Sequence, residues 1–348
     1  MFDHPCFDAH EGLHLFHDSK TGLKAVIAVH STARGPAAGG CRMWNYASEA
    51  EMLSDALRLS QGMSYKNAMA DLPLGGGKAV IWGNARTDKS PELFRAFGRA
   101  VESLQGIYWT AEDVGLTPQD LAYAAEETQY AAGLESGHAA SGDPSPITAI
   151  GVYRGILECV RRVYGDSDLN GKTVAVQGVG KVGADVCRHL AKSGANLIIA
   201  DVNEEAARRV AAETGARIAA LDDIYDAPAD VFSPNALGGS ITSQTLKRLQ
   251  AKIIAGGANN QLATADMGEA LRSAGILYAP DYVINGGGII NVAAEISGNY
   301  SRDWVNGKLD ALMDTLRRVL DQAVQENLPT TEIAGRIARQ RIGRAEST

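Results

Sequence analysis

The chain has 348 residues, 45% hydrophobic and 21% charged, with 41 acidic against 33 basic side chains and a net charge of −8. This is the composition of a globular protein long enough for two domains, and its acidity argues against a nucleic-acid or anionic-membrane surface. A small-molecule partner is expected instead. The N-terminus, MFDHPCFDAH, has no basic segment followed by an apolar one, and no apolar run reaches the length of a membrane helix, so a cytoplasmic location is expected. Cys6, Cys41, Cys159 and Cys187 are scattered without CxxC spacing and read as reduced thiols. The series Cys6, His10, His14 and His17 offers metal-ligand types, but the alternating segment Leu13 to Phe16 would send His14 and His17 to different faces, and no metal is expected.

In chain order, Leu13 to Phe16 and Leu23 to Val29 flank the turn-rich DSKTG and predict a β-hairpin. A glycine-rich loop with one arginine follows, GPAAGGCRMW. Ser48 and Glu51 predict a capping box opening a helix that carries Leu53, Ala56, Leu57 and Ser60 on one face and runs down to Lys66. Lys78 is expected to begin an apolar strand, Ala79-Val80-Ile81-Trp82, after a Gly75-Gly76-Gly77 loop that lets a small ligand approach closely. Two lysines facing one ligand suit an anion anchor and a proton-transfer group, since a lysine desolvated beside another cation loses proton affinity. Ser90-Pro91 and Thr117-Pro118 start further helices, and the strand Ile107 to Thr110 delivers Ala111-Glu112-Asp113 into a loop.

The Gly-, Ser- and Pro-rich stretch from Ala131 to Ile147 is the expected domain boundary, followed by a helix over about Thr148 to Tyr164. From Lys172 the pattern becomes strand, glycine turn, helix, repeated, which predicts a doubly wound parallel sheet. Beyond Gly288 the chain reads as mostly helical. GVGKVG, with Gly178, Gly180, Lys181, Val182 and Gly183, follows the apolar strand TVAVQ and opens a helix, and Asp201 ends the next strand about 20 residues on, as a dinucleotide fingerprint requires. Its glycines let the backbone approach a pyrophosphate at the positive end of a helix. Asp201 suits ribose hydroxyls and would repel a 2′-phosphate, which favours NAD over NADP. The Gly75–Lys78 segment is not a phosphate loop, because Ala79 stands where Ser or Thr is needed and Leu72 where the first glycine is needed. A hydride acceptor, two lysines and an aspartate together point to oxidation at a carbon bearing amino and carboxylate groups.

The chain resembles the family of glutamate, leucine, phenylalanine and valine dehydrogenases, through GPAAGGCRMW, GMSYKNA, LPLGGGKAVI, TAEDVG, GDPSPITAIGVYRG, KTVAVQGVGKVG, AGGANNQL and APDYVINGGGIINVA. It looks most like the leucine branch, with the phenylalanine branch next. The resemblance implies an α/β protein of two domains: an N-terminal substrate and oligomerisation domain over residues 1–135 and a Rossmann-type NAD-binding domain over 136–325, with the active site in the cleft between them. Residues 326–348 would be a helical segment returning to the first domain. It further implies NAD as cofactor, a homo-oligomer, and reversible oxidative deamination of an apolar L-amino acid to its 2-oxo acid with release of ammonia.

By the same resemblance, Lys66 would bind the substrate carboxylate, Lys78 would be the general acid/base acting through water, and Asp113 would contact the amine. Thr148 would hold the nicotinamide carboxamide, Asn259 would line the nicotinamide and substrate region, and Asn285 would help place ligand. Ala38, with Ile289, Val292 and Ala111, would surround the side chain, and Gly39 would also belong to the substrate site. The glutamate-using branch carries lysine where Ala38 stands and serine where Val292 stands, so a distal carboxylate would be left unpaired here and should be rejected. Ala38 is also smaller than the leucine usual in the leucine branch, which enlarges the pocket toward aromatic substrates, and Asn235 stands where relatives usually have cysteine. Phenylalanine dehydrogenation by the same mechanism and a non-catalytic NAD-binding regulator are the alternatives.

Overall fold

A computed structural model describes residues 2–134, 142–298 and 300–344 of the chain. The middle of the expected boundary stretch, residues 135–141, lies outside the described residues. The chain divides into two compact units that are discontinuous in sequence: Met1–Asp143 with Ile289–Val305 and Ala338–Thr348, and Pro144–Gly288 with Asn306–Ile337.

The first unit is built on β1 (Gly12–Asp18), β2 (Leu23–Ser31), β3 (Ala37–Ala38), β4 (Cys41–Trp44), β5 (Gly75–Trp82) and β6 (Tyr108–Trp109), with helices α1 (Glu49–Met69), α2 (Pro91–Glu102) and α3 (Pro118–Ala125). β1 and β2 form the expected antiparallel hairpin. The sheet runs β1-β2-β5-β3-β6, and β4 also pairs with β5. β5 is therefore the strand to which β2, β3 and β4 all attach. Ser48 caps α1 by accepting from Glu51 N, but the Glu51 carboxylate accepts from Ala47 N and not from Ser48, so the box closes one residue early. Thr117 and Asp120 close a full capping box at α3.

The structure corrects the reading of the triple glycine. Gly75, Gly76 and Gly77 are strand residues, and Lys78 lies in mid-strand. A side chain at Gly75 would meet the Ser31 carbonyl, one at Gly76 the backbone nitrogen of Ser64 on α1, and one at Gly77 the Tyr108 ring. The glycines make room for β2, α1 and β6, and not for substrate. Neither spacing nor composition distinguishes these uses, because both need a missing Cβ.

His10 is a buried structural histidine. Its Nδ1 accepts from Asp8 N at 3.1 Å, and its Nε2 lies 3.0 Å from the Leu57 carbonyl and 3.1 Å from Ser60 Oγ. The neutral Nε2–H tautomer satisfies both nitrogens, whereas a proton on Nδ1 would face an N–H donor. Burial pushes its pKa from 6.5 down to about 4, against the pull of the Leu57 carbonyl. The unfolded chain therefore takes up this proton before the folded one does, and up to about 3 kcal/mol present above pH 6.5 is lost as pH falls toward 4. We expect a His10→Ala protein to melt lower than wild type at pH 7.5 and to lose less further Tm between pH 7 and 4.5; equal losses in thermal melts would remove His10 from the acid response. All four cysteines are free, Cys41, Cys159 and Cys187 being buried. Among the described residues no group of three or more His, Cys, Asp or Glu is placed to hold a metal, and no helix is long and apolar enough to cross a membrane.

In the second unit α4 (Ser145–Tyr164) leads into β7 (Thr173–Gln177), α5 (Lys181–Lys192), β8 (Asn196–Ala200), α6 (Glu204–Thr214), β9 (Arg217–Ile218), β10 (Val231–Pro234), α7 (Ser243–Leu246), β11 (Ile253–Ile254), α8 (Met267–Ser273) and β12 (Leu277–Tyr278). The sheet order is β12-β11-β10-β7-β8-β9, and every pairing is parallel. The chain reverses direction across the sheet between β7 and β10, which is where doubly wound sheets bind ligands beyond their strand ends. Gly178 directly follows β7 and Asn235 directly follows β10. The chain continues with the helices α9 (Asp281–Ile284), α10 (Gly287–Ile296), α11 (Arg302–Glu326) and α12 (Thr330–Arg341).

Candidate active site

The first group of site residues assembles on β5 and its neighbours. Lys78 is 5% exposed, and its Nζ donates to Asp113 Oδ2 at 2.6 Å. Asp113 is held in place by its backbone: Cys41 N donates to the Ala111 carbonyl and Met43 N to the Val114 carbonyl, which lays residues 111–114 along β4. Gly40 permits this, since a Cβ there would strike the Glu112 carbonyl and Asp113 Cβ. Burial works against the Asp113 carboxylate, but the Lys78 and Arg42 cations outweigh it and hold the pKa below the usual carboxylate range. Lys66 lies in the last turn of α1, half-buried. Its neighbour Asn67 donates to the Gly75 carbonyl at 2.5 Å and the Ala38 carbonyl at 3.4 Å, tying that turn to the strands that carry Ala38 and Lys78. Ala38 is 1% exposed, and Gly39 N donates to the Trp109 carbonyl. Ile289 and Val292 on α10, both buried, count with the same compact unit.

The second group belongs to the parallel sheet. Gly178 has φ +91°, and a Cβ on Gly183 would strike the Gly178 carbonyl, so the turn from β7 into α5 is as tight as the sequence predicts. Gly180 is exposed and has open space where a side chain would be, a cradle suited to phosphate at the start of α5. Lys181 and Val182 continue that first turn. Asp201 follows β8; its Oδ2 accepts from Val179 N and its Oδ1 from Asn203 N, both at 2.7 Å, which fixes the carboxylate beside the turn and leaves each oxygen able to accept another donor.

Asn285 Nδ2 donates to Asn259 Oδ1 at 2.8 Å, while Asn285 Oδ1 is buried with no hydrogen-bond partner, as expected of a group that a ligand completes. Thr148 stands at the start of α4 beside Gly288, where any side chain would crowd its hydroxyl. These residues fit a dinucleotide: an open glycine turn for phosphates, an oriented carboxylate for a ribose, and an unsatisfied amide oxygen.

The sequence and the fold match known proteins. A family model described as Glu/Leu/Phe/Val dehydrogenase, dimerisation domain, matches residues 11–130, and one described as Glutamate/Leucine/Phenylalanine/Valine dehydrogenase matches residues 198–348. The chain belongs to this family. It is 48% identical to leucine dehydrogenase of Bacillus subtilis over 96% of this chain and 92% of that protein. Phenylalanine dehydrogenase of Bacillus thermotolerans is 44% identical over 96% and 88%. Among solved structures, L-tryptophan dehydrogenase from Nostoc punctiforme matches with a TM-score of 0.83 and 41% identity, covering 96% of both chains. The protein is thus an amino-acid dehydrogenase that takes a nicotinamide cofactor.

Arg42 and Asn67, beside the candidate site, escaped the sequence. Arg42 reaches Asp113 from β4, and its only sequence signal was being the lone arginine of a glycine-rich segment. Asn67 looked like any polar residue near a helix end. Asn235 acts as a staple: its Nδ2 donates to Ser233 O and Oγ, and its Oδ1 accepts from Gly257 N at 2.8 Å, fixing the end of β10 to the loop that leads to Asn259. A cysteine could not make this set of bonds.

Proposed function

We propose that this dehydrogenase uses NAD to oxidise branched-chain L-amino acids, leucine foremost, to their 2-oxo acids. The observation that carries the mechanism is the contact of the buried Lys78 with Asp113 at 2.6 Å. Lys66 binds the substrate carboxylate, and Asp113 accepts a hydrogen bond from the substrate amine and exchanges its proton. Bound NAD supplies the acceptor for the hydride that leaves Cα. Lys78, as the amine, takes a proton from the water that attacks the substrate imine, and as the ammonium returns a proton to the departing nitrogen, so that ammonia and 2-oxo acid result. Thr148, Asn259 and Asn285 hold the nicotinamide side of the ligand set, and Gly178, Gly180, Lys181, Val182 and Gly183 hold the pyrophosphate. Asp201 takes the ribose hydroxyls and disfavours a 2′-phosphate.

For the side chain, Ala38, Gly39, Ile289 and Val292 present no polar partner, so a glutamate carboxylate would be buried unpaired at a cost of several kcal/mol. The small Ala38 favours a second reading, an aromatic substrate. The enzyme acts as a homo-oligomer in the cytoplasm. A panel of L-leucine, L-valine, L-phenylalanine and L-glutamate at fixed NAD tests these readings by NADH absorbance. We expect turnover with leucine and valine, about a hundredfold or more less kcat/KM with glutamate, and at least tenfold less with NADP than with NAD. Phenylalanine as the best substrate selects the aromatic reading, and turnover confined to glutamate removes both.

A further inference from the structure

We propose that Arg42 is a positioning residue of the reaction: fixed by Asp55, it holds Asp113 in place and ionised while Lys78 passes through its neutral form. The inference rests on the roles assigned above to Lys78 and Asp113. Two cations converge on a single oxygen, Asp113 Oδ2: Lys78 Nζ at 2.6 Å and Arg42 Nε at 3.3 Å. They differ in one respect that matters. Lys78 must give up its charge in each cycle, and with it the charge-assisted bond to Asp113, whereas a guanidinium does not deprotonate in proteins. Without Arg42, Asp113 would lose a cation whose charge is fixed at the moment it has to face the substrate amine.

Arg42 is in turn built into place. Its Nη1 donates to Asp55 Oδ2 on α1 at 3.0 Å, and the Tyr46 hydroxyl donates to the same Asp55 oxygen at 2.8 Å. Tyr46, Asp55, Arg42 and Asp113 thus form a polar chain from α1 to the carboxylate that Lys78 contacts. The side chains of Arg42 and Asp55 are 22% and 19% exposed, so solvent screens this chain far less than it does a surface pair. The titratable groups facing Asp113 include Lys78 on β5, Arg42 and Cys41 on β4, and Tyr108 on β6. Burial pushes the Cys41 thiol and the Tyr108 phenol up, so neither titrates in the working range. An ordinary link between β4 and α1 would use the Asp55 contact alone; the contact to Asp113 is what ties Arg42 to the chemistry.

The test is the pH profile of kcat and kcat/KM for the best substrate of the panel in wild type, Arg42→Gln, Arg42→Lys and Lys78→Ala. In Arg42→Gln we expect the acidic limb of kcat/KM to move up by about one pH unit, a loss of roughly tenfold below that limb, with the NAD KM unchanged. Arg42→Lys keeps the charge but cannot fork to both carboxylates, so it should restore the limb and still lose several-fold in kcat. An unmoved limb in Arg42→Gln overturns the proposal and leaves Arg42 as a structural link. If Arg42→Gln does not fold, Arg42→Lys decides, and wild-type kcat there overturns it. Turnover surviving in Lys78→Ala would instead show that the assignment beneath the proposal has failed; a dead Lys78→Ala with an unmoved Arg42→Gln limb strikes the Arg42 inference alone.

Discussion

Replacing Lys78 by alanine should lower kcat by about 10²–10⁴, the range that a positioned general acid/base contributes, while leaving NAD binding at wild-type strength. The split follows from where the lysine sits. Its Nζ is committed to Asp113 inside the first compact unit, and the glycine turn, Asp201, Thr148 and Asn285 belong to the second. Removing the amine therefore deletes a proton carrier without touching a residue assigned to the cofactor. Asp113 keeps its contact with Arg42, so the site should not collapse around an unpaired carboxylate. Cofactor binding by fluorescence titration and turnover by NADH absorbance, measured on the same preparation, separate the two quantities. Activity within tenfold of wild type would remove Lys78 from proton transfer, and a parallel loss of NAD binding would point to misfolding.

A second large effect is expected from one added methyl group. Gly76→Ala would place a Cβ against the backbone nitrogen of Ser64, which is fixed within α1 and cannot swing aside as a side-chain end could. Forcing atoms into a packed interior commonly costs 1–3 kcal/mol, and a backbone collision belongs at or above the upper end, about 3 kcal/mol or more. For a unit of this size that corresponds to a Tm lower by about 6–12 °C. Because Ser64 precedes Lys66 by two residues, any surviving protein should also bind substrate more weakly. Thermal melts and the amino-acid KM together decide the glycine's role. A raised KM at unchanged Tm would return Gly76 to a substrate-clearance role and contradict the packing described here.

Much of the architecture was legible because it is set locally. Ser90-Pro91 and Thr117-Pro118 open helices through cap geometry confined to a few residues. The strand-glycine-helix repeats after Lys172 announce a parallel sheet through periodicity alone, and GVGKVG with Asp201 is readable because its parts are neighbours along the chain. The candidate residues Lys66, Lys78 and Asp113 were recognisable as types suited to the chemistry, and as family motifs.

What the sequence could not determine was which distant atoms meet. The 2.6 Å contact of Lys78 with Asp113, the second cation on the same oxygen and the Asp55–Tyr46 support behind it join β4, β5, α1 and the 111–114 segment. The Asn235 staple likewise depends on the β10 end meeting the Gly257 loop. The triple glycine was misread for the same reason: a missing side chain is visible in a sequence, but what fills its place is not. Local periodicity and caps therefore determined the elements and the nucleotide turn, whereas strand register and helix packing decided that the glycines admit protein, that His10 stays neutral, and that Arg42 reaches the proton-transfer pair.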